Sequence, residues 1–336
     1  MAQDLTAIVG AGALGAMYAG QIQRAGLPVA FVAEGARASR LKQNGVALNG
    51  KRTHIPVIPW DVPPVQRIIV AVKHHHLPEV CRRITALADG DTVVLSVMNG
   101  IDSEAALQEA LDAAASRADS RAANGSAEPA DSSGASPRGA IVLPAMAAGM
   151  DAVRYDDEVS YKSLGRIVFG AAATGTRSSA AVEQMRAFLE RAGIPGVIPE
   201  DITHAVWNKF MLNVGINQWS AVLRAPYGLF HREGPARDLM RAAMREVLAV
   251  AEKRGVPLTE EDLEAWIPVV ETLSAPGKTS MLQDVEARRK TEVEMFAGRV
   301  VEMGRELGVA TPMNETLLTA IRAIEELYSA SFASAR

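Results

Sequence analysis

The sequence predicts an α/β domain over residues 1–200 and an all-helical domain over residues 201–336. Short runs of β-branched residues alternate with helical patterns in the first half, which is typical of a parallel sheet covered by helices. A glycine-rich turn joins the first strand to the first helix, and after Pro199 the apolar residues recur with helical spacing only. The domain boundary is therefore expected near Glu200.

The composition excludes several classes of protein. The 336 residues are 48% hydrophobic and 22% charged, as in ordinary globular proteins of two-domain size. The 35 basic and 39 acidic residues leave a net charge of -4, without the basic excess that binds nucleic acid. Cys81 is the only cysteine, which excludes an intrachain disulfide. No signal peptide or membrane-spanning run is visible, so we expect a cytoplasmic protein without nucleic-acid or membrane partners.

The start of the chain contains a candidate nucleotide site. Residues 5–9 resemble a buried strand and residues 16–24 a helix. Between them lie the six residues expected to contact a cofactor: Gly10, Ala11, Gly12, Ala13, Leu14 and Gly15. Strand, glycine turn and helix in this order form the Rossmann dinucleotide fingerprint, in which a pyrophosphate approaches the turn and the helix N-terminus. We therefore predict a Rossmann-type dinucleotide-binding domain.

The residue that ends the second strand bears on the choice of nicotinamide cofactor. Glu34 follows the strand 28–33, near the position where an acid binds the ribose 2′-hydroxyl of NAD and repels the extra phosphate of NADP. Arg37 and Arg40 follow closely and could reach a 2′-phosphate. NAD(H) is therefore the favoured cofactor and NADP(H) the alternative, while a solvated carboxylate without a ligand stays open.

Two further buried strands are followed by polar residues. The β-branched runs 67–72 and 91–97 lead to Lys73 and Asn99, respectively. Ligands of open α/β sheets bind beyond the carboxyl ends of the strands, which makes Lys73 a candidate cofactor contact and Asn99 a candidate contact to cofactor and substrate. Three consecutive histidines at 74–76 cannot converge on one ion, so no metal site is expected.

The remaining elements follow from composition and periodicity. Residues 112–138 contain almost no large apolar side chain, which predicts a flexible surface insertion between a helix from 103 to about 114 and a strand at 140–143. A strand at 163–170 and a helix at 179–192 complete the first domain. In the second half, helices are predicted at 204–224, 236–254, 259–273, 279–307 and 314–330.

The first of these later helices carries a polar stripe. Lys209, Asn213 and Asn217 recur every fourth residue in an otherwise apolar run, so they share one helix face. An ammonium and two amides in such surroundings indicate a polar ligand site, because buried polar groups need partners. This stretch alone is equally compatible with a lysine that extends to solvent and amides that face water.

A second polar series lies in the helix predicted at 279–307. Ser280, Asp284, Arg288 and Glu292 are each four residues apart. Ion pairs from Arg288 to Asp284 and Glu292, with Ser280 at the helix start, would explain them structurally. Beside the Lys209 stripe, a serine and a glutamate are also what a small hydroxylated acid would need.

With these motifs the sequence resembles the ketopantoate reductases, the 2-dehydropantoate 2-reductase family. The resemblance covers nearly the whole chain apart from 112–138. It lies in the glycine turn, Val72 with Lys73, Asn99 with Gly100, residues 207–213 with Asn217, and residues 280–284 with Thr291 and Glu292. It implies a Rossmann domain followed by a helical domain, and reduction of 2-dehydropantoate to (R)-pantoate in pantothenate biosynthesis.

The resemblance also implies roles for single residues. Lys209 is similar to the family's general acid on the keto oxygen, with Glu292 as a second catalytic residue. Lys73 would be a cation near cofactor and substrate, and Ser280 and Asn99 would contact the substrate carboxylate. The implied substrate-binding residues are Asn99, Asn213, Asn217, Ser280 and Asp284.

Glu34 departs from the family pattern, since members that use NADP usually carry a basic residue there. This departure opens a second function, an NAD-dependent D-2-hydroxyacid dehydrogenase that acts on another branched or aromatic 2-keto acid. A third, from another class, is a non-catalytic nicotinamide-binding redox sensor, and the set of polar residues around Lys209 counts against it. A homodimer is compatible with each function, and the sequence leaves the oligomeric state open.

Overall fold

The computed structural model of the protein describes residues 3–123, 139–155, 157–172 and 175–329. The chain divides into two compact units, Met1–Ile202 and Thr203–Arg336. The first unit combines a parallel sheet with helices and the second is helical, which confirms the predicted fold class.

The described strands all lie in the first unit. They are β1 (Gln3–Val9), β2 (Val29–Val32), β3 (Val46–Leu48), β4 (Lys51–Thr53), β5 (Val57–Ile58), β6 (Val65–Val70), β7 (Val93–Ser96), β8 (Ile141–Leu143), β9 (Ala145–Met150), β10 (Val153–Tyr155), β11 (Glu158–Ser160), β12 (Leu164–Phe169) and β13 (Gly196–Val197). The helices of this unit are α1 (Ala13–Arg24), α2 (Gly35–Asn44), α3 (Leu77–Arg83), α4 (Ser103–Ala123) and α5 (Thr176–Ala192).

The main sheet contains six parallel strands in the order β5-β2-β1-β6-β7-β8. The chain builds outwards from β1 to one edge and then from β6 to the other, which is the doubly wound Rossmann topology. Ile68 and Ile69 in β6 are fully buried, as the continuous β-branched run predicted. The strand order reverses between β1 and β6, where open α/β sheets bind ligands.

Two smaller sheets, β10-β11-β3-β4 and β13-β12-β9, accompany the main sheet. One hydrophobic cluster joins Ile8 and Phe31 of the main sheet to Met17 of α1 and Phe188 of α5. A second cluster includes residues of β6, β7, α3 and α4, among them the fully buried Leu107 of α4. The main sheet is therefore covered on both faces, as its apolar strands require.

The helix α4 corrects the predicted flexible insertion at 112–138. It continues to Ala123, so residues 112–123 are helical, whereas residues 124–138 lie outside the described residues. The segment lacks large apolar side chains but is rich in alanine, the strongest helix former. Gln108 also donates hydrogen bonds to Asp112 at 2.9 Å and to the Ala140 carbonyl at 3.1 Å, which links the helix to the start of the next strand.

The second unit consists of six described α-helices. They are α6 (Ile202–Leu223), which begins at the last residue of the first unit, α7 (Pro235–Lys253), α8 (Glu260–Thr272), α9 (Ser280–Glu286), α10 (Arg299–Leu307) and α11 (Pro312–Ser329). The core includes the fully buried Met244 of α7 and Val300 of α10. None of the helices that the structure describes combines the length and apolar character needed to cross a membrane.

The prediction of a single helix at 279–307 is wrong, because the helix is interrupted between residues 287 and 293. The helix α9 ends at Glu286, Arg288 has a φ of 50°, and a π-helical turn spans Glu294–Gly298 before α10 starts. Thr291, Glu292 and Val293 are all buried, and three consecutive residues cannot all lie on the buried stripe of one amphipathic helix. Arg288 and its neighbours four residues away therefore do not share one continuous helix, on which the expected pairs depend.

Candidate active site

In the glycine turn between β1 and α1, two glycines are required by the fold. Gly10 has a φ of 112°, and a Cβ there would lie 2.6 Å from the carbonyl oxygen of Ala71. A Cβ on Gly15 would lie 1.9 Å from the carbonyl oxygen of Gly10. At Gly12, however, the nearest atom to an added Cβ is 4.0 Å away. The open space at Gly12 fits a ligand that approaches the backbone closely, as a dinucleotide pyrophosphate does.

The same turn presents hydrogen-bond donors. Gly12 is the N-cap of α1, and the first N–H groups of a helix have no carbonyl partner in the helix itself. Ala11 is buried, and Ala13 and Leu14 are half-buried in the first turn. Arg154 of β10 donates a hydrogen bond to the carbonyl oxygen of Ala11, 143 residues away in sequence. These groups suit a phosphate, and the large separation explains why the sequence did not indicate Arg154.

Two arginines of α2 add positive charge near Arg154. Partial loss of hydration, together with the charges of Arg154 and Arg40, lowers the pKa of Arg37. Asp157 is an acidic partner of Arg154, with Oδ1 3.6 Å from Nη2. A bound phosphate would relieve the remaining repulsion between the guanidinium groups.

Glu34 lies two residues after the end of β2, at the N-cap of α2, and its carboxylate is held by two donors. Arg83 Nη2 lies 2.6 Å from Glu34 Oε2, and the backbone N–H of Trp60 donates to Oε1 at 3.4 Å. The hydrogen bond from Arg83 lowers the pKa of Glu34, so the acid is ionised at neutral pH. Arg83 is itself placed 5.1 Å from the ring centre of Trp60. Sequence reasoning missed Arg83 because it is 49 residues from Glu34.

Lys73 and Asn99 each lie three residues beyond the end of a strand. The strands β6 and β7 are hydrogen-bonded neighbours, with Val70 paired to Ser96 at these ends, so both residues follow the same edge of the sheet. Both side chains are half-buried. The histidines at 74–76 form a 3₁₀ turn, and within the described part of the chain no three His, Cys, Asp or Glu side chains group to hold a metal ion.

A carboxyl group that the sequence pattern did not indicate lies in the first turn of α4. Glu104 Oε2 accepts a hydrogen bond from the Ser103 hydroxyl at 3.1 Å, and Oε1 accepts one from the Ala145 N–H at 3.5 Å. The Ser103 and Ser96 hydroxyls lie 2.7 Å apart, which links this turn to the end of β7. Burial raises the pKa of Glu104 to about 7, so its charge changes near neutral pH.

In the second unit, the predicted polar stripe lies along α6. Lys209 and Asn213 are half-buried, and Asn217 is only 6% exposed, so Asn217 does not face open water. Trp266 Nε1 of α8 donates to Asn208 Oδ1 at 2.6 Å, and one turn earlier His204 Nε2 lies 3.1 Å from Asp262 of α8. These two contacts fix the rotation of α6 about its axis and thereby the direction of the stripe.

The start of α9 is tied to α6. Thr279 is the N-cap: its hydroxyl accepts the N–H of Leu282 at 3.1 Å and donates to the hydroxyl of Ser220 on α6 at 3.1 Å. Ser280, the next residue, is exposed and available to a ligand. The position of Ser280 thus follows from the position of α6.

Asp284 is buried in α9, with 3% of its surface exposed. Its Oδ1 lies 3.0 Å from Nε of Arg289, which lies beyond the end of the helix. The ion pair predicted with Arg288 is therefore replaced by one with the next residue. One oxygen of the carboxylate that was predicted to contact the substrate is therefore already paired with Arg289.

Glu292 lies between α9 and the π-helical turn and is 7% exposed. Phe296 in this turn stacks on Phe210, with ring centres 6.2 Å apart and planes at 28°. Because Phe210 is the chain neighbour of Lys209, the segment that carries Glu292 packs against the helix that carries Lys209. The start of α9, through Thr279, and the Glu292 segment, through Phe296, therefore both contact α6.

Comparison with known proteins identifies the family of this chain. The family described as "Ketopantoate reductase PanE/ApbA" matches residues 6–127, and the one described as "Ketopantoate reductase PanE/ApbA C terminal" matches residues 201–325. The chain belongs to the ketopantoate reductase family. Its relatives in this family are oxidoreductases, and the resemblance inferred from the motifs is thereby confirmed.

Individual relatives cover nearly the whole chain. The 2-dehydropantoate 2-reductase of Archaeoglobus fulgidus is 29% identical over 320 residues, which are 95% of this chain and 97% of the relative. A dimeric ketopantoate reductase from Staphylococcus aureus has a TM-score of 0.74 at 21% identity and covers 96% of this chain and 99% of its own. D-mandelate dehydrogenase, solved with NADH and anilino(oxo)acetate, has a TM-score of 0.78 at 20% identity, with 97% and 100% covered. Both structures share the fold of this chain.

Proposed function

We propose that the protein reduces a 2-keto acid to the 2-hydroxy acid, with 2-dehydropantoate as the substrate and (R)-pantoate as the product. The observation that carries the proposal is the stripe of Lys209, Asn213 and Asn217 on α6, together with the attachment of the Ser280 and Glu292 segments to the same helix. One ammonium, two amides, a hydroxyl and a carboxylate match a small, hydroxylated keto acid.

Lys209 is the proposed general acid. When bound, the nicotinamide cofactor supplies a hydride, which reduces the carbonyl carbon of the substrate. Negative charge then grows on the keto oxygen, and the ammonium of Lys209 stabilises it and donates a proton to form the hydroxyl group. The resulting neutral amine regains its proton from solvent, so the lysine ends as it began.

The remaining polar residues have proposed binding roles. Asn213, Asn217 and Glu292 hold substrate oxygens and help to position the lysine. An amide both donates and accepts hydrogen bonds, and an ionised carboxylate accepts them from hydroxyl and ammonium groups. Ser280, exposed at the start of α9, is a contact to the substrate carboxylate. Asn99 and Lys73 keep the carboxylate and cofactor contacts assigned by resemblance, and Asp284 remains a weaker candidate because it is paired with Arg289.

NADH is the proposed reductant. Glu34 is ionised and held by Arg83 and Trp60, so it is a ready acceptor for ribose hydroxyl groups and repels a 2′-phosphate. NADPH is the alternative, which the positive charge of Arg37 and Arg154 would favour. The ratio of kcat/KM for NADH to that for NADPH decides between them, and a ratio below one would show that the arginines outweigh Glu34.

The substrate is tested by steady-state reduction of a panel of 2-keto acids with each reduced cofactor. We expect the highest kcat/KM for 2-dehydropantoate. A higher value for a branched or aromatic 2-keto acid would instead identify an NAD-dependent D-2-hydroxyacid dehydrogenase, the function that Glu34 also allows. Cofactor binding without reduction of any keto acid would identify a redox sensor and overturn the proposal.

We also propose a cytoplasmic homodimer, by analogy with the dimeric relative from Staphylococcus aureus. The mass of the purified protein in solution, measured by sedimentation equilibrium, checks the assembly: about twice the 35.7 kDa of one chain supports it, and the mass of a single chain contradicts it.

A further inference from the structure

The segment that carries Glu292 is irregular and needs hydrogen-bond partners from outside itself. Between α9 and α10, the π-helical turn replaces the usual pattern: the carbonyl of Val293 accepts the N–H of Gly298 at 3.0 Å, five residues on. In an α-helix this carbonyl would accept the N–H of Ala297. The turn therefore leaves the buried Ala297 N–H without its regular partner, at a cost unless another acceptor replaces it.

Gln218 of α6 supplies that acceptor. It is fully buried, and its Oε1 accepts the Ala297 N–H at 3.0 Å. Its Nε2 is fixed by a donation to the Val214 carbonyl at 2.8 Å and lies 3.4 Å from Asn314 Oδ1. Gln218 is the chain neighbour of Asn217, so the residue that pins the π-helical turn belongs to the helix of the polar stripe.

Glu325 of α11 holds the other end of the segment. One carboxylate oxygen, Oε1, accepts both the backbone N–H of Thr291 at 2.7 Å and its hydroxyl at 2.6 Å. Thr291 is 2% exposed, and it directly precedes Glu292. Hydrogen bonds to an ionised acceptor are stronger than neutral ones, and two of them to one residue fix both its backbone and its side chain.

We propose that Gln218 and Glu325 are positioning residues for Glu292, which set its backbone on both sides relative to Lys209. The inference rests on the proposed function only for the identity of the reaction. Neither residue touches the reacting atoms. Each acts through Glu292, whose segment has no regular helix to hold it in place. A misplacement of about 1 Å can lower a rate about a hundredfold, so we expect a clear catalytic effect from the loss of either contact.

The test compares matched variants of the full-length protein. Glu325→Leu removes the acceptor of Thr291, and Gln218→Met removes the acceptor of Ala297. Glu325→Gln is a control that keeps an amide oxygen for Thr291. Glu326→Leu is a second control, which makes the leucine substitution at the exposed neighbouring position of α11. The measurements are kcat and KM for 2-dehydropantoate, the Kd for NADH, the melting temperature, and amide hydrogen exchange over residues 291–298.

We expect Glu325→Leu and Gln218→Met to lose at least about tenfold in kcat/KM, with faster exchange at 291–298 and an NADH Kd within about twofold of wild type. Glu325→Gln should retain most of the activity, and Glu326→Leu all of it. Lower melting temperatures with unchanged kcat/KM at 20 °C would show a purely structural role and overturn the inference. Failure of the wild-type protein to reduce any 2-keto acid would overturn the proposed function, while unchanged exchange at 291–298 in both variants would separately refute the positioning contacts.

Discussion

Gly12→Ala should affect cofactor binding strongly but the stability of the fold only slightly. Gly12 has a φ of -80° and a ψ of -167°, which alanine adopts freely, and the nearest atom to the new methyl group would lie 4.0 Å away. Alanine is a poorer N-cap than glycine by roughly 0.5 to 1 kcal/mol. In a unit of this size that difference lowers the melting temperature by about 2 to 4 °C at most. The folded protein should therefore be nearly unchanged.

Cofactor binding should respond much more strongly. The methyl carbon extends about 1.5 Å from Cα into the space where the pyrophosphate meets the turn. The loss of one backbone hydrogen bond to a charged phosphate costs about 1.5 to 3 kcal/mol, which corresponds to a rise in the NADH Kd of roughly tenfold to a hundredfold. Titration of NADH fluorescence measures the Kd, and thermal unfolding measures the stability of the same samples.

Gly175→Ala is the matched control for this prediction. Gly175 is also a helix N-cap, at α5, and no described atom lies within 4 Å of an added Cβ. The Gly175→Ala protein should have the same Kd for NADH as the wild-type protein. If Gly12→Ala also keeps the wild-type Kd, the pyrophosphate does not approach Gly12 and the reasoning is refuted. Gly15→Ala, whose Cβ would lie only 1.9 Å from the carbonyl oxygen of Gly10, should instead lower the melting temperature markedly.

Three further predictions concern the proposed chemistry and the ionisable groups. Lys209→Ala should lower kcat for 2-dehydropantoate by at least about a hundredfold with little change in NADH Kd, and near-wild-type turnover would exclude Lys209 as the acid. Glu34→Arg should shift the ratio of kcat/KM for NADH to that for NADPH by roughly tenfold or more towards NADPH, because it replaces a charge that repels the 2′-phosphate with one that attracts it. An unchanged ratio would show that Glu34 does not determine the cofactor preference. Glu104→Gln should gain stability relative to wild type as the pH rises from 4.5 to about 7, because the unfolded wild-type chain releases the Glu104 proton near 4.5 while the folded protein holds it up to about 7. Over this window the wild-type protein should lose at most about 3 kcal/mol of its free energy of unfolding relative to the variant. If urea unfolding gives the same difference in free energy between the two proteins at every pH in this range, the raised pKa is contradicted.

The sequence was sufficient for elements that follow from local pattern. The β-branched runs of β6 and β7, the glycine turn and the long helices of the second unit lie where periodicity and turn chemistry placed them. These features depend on residues that are close in sequence, so their signal is local. The stripe on α6 was visible for the same reason, although its burial at Asn217 was not.

Local sequence patterns could not predict the contacts that shape the site. The pairing of Glu34 with Arg83 and the contact of Arg154 with Ala11 join distant parts of the chain, and a single sequence does not record them. The break after Glu286 was missed because the regular spacing of Ser280, Asp284, Arg288 and Glu292 imitates a helix face. Tertiary partners outweighed this local preference: Glu325 and Gln218 stabilise the irregular backbone instead.

The transfer of a hydride to a 2-keto acid is most directly measured with NADH that carries deuterium at both hydrogen positions of nicotinamide C4. Incubation of the wild-type protein with this cofactor and 2-dehydropantoate, followed by mass spectrometry of the product, should show pantoate that carries one deuterium on C2, the former keto carbon. Lys209→Ala should form the same labelled product at least about a hundredfold more slowly. A wild-type protein that binds the cofactor but yields no labelled hydroxy acid from 2-dehydropantoate or from any other 2-keto acid would contradict the proposed reductase activity.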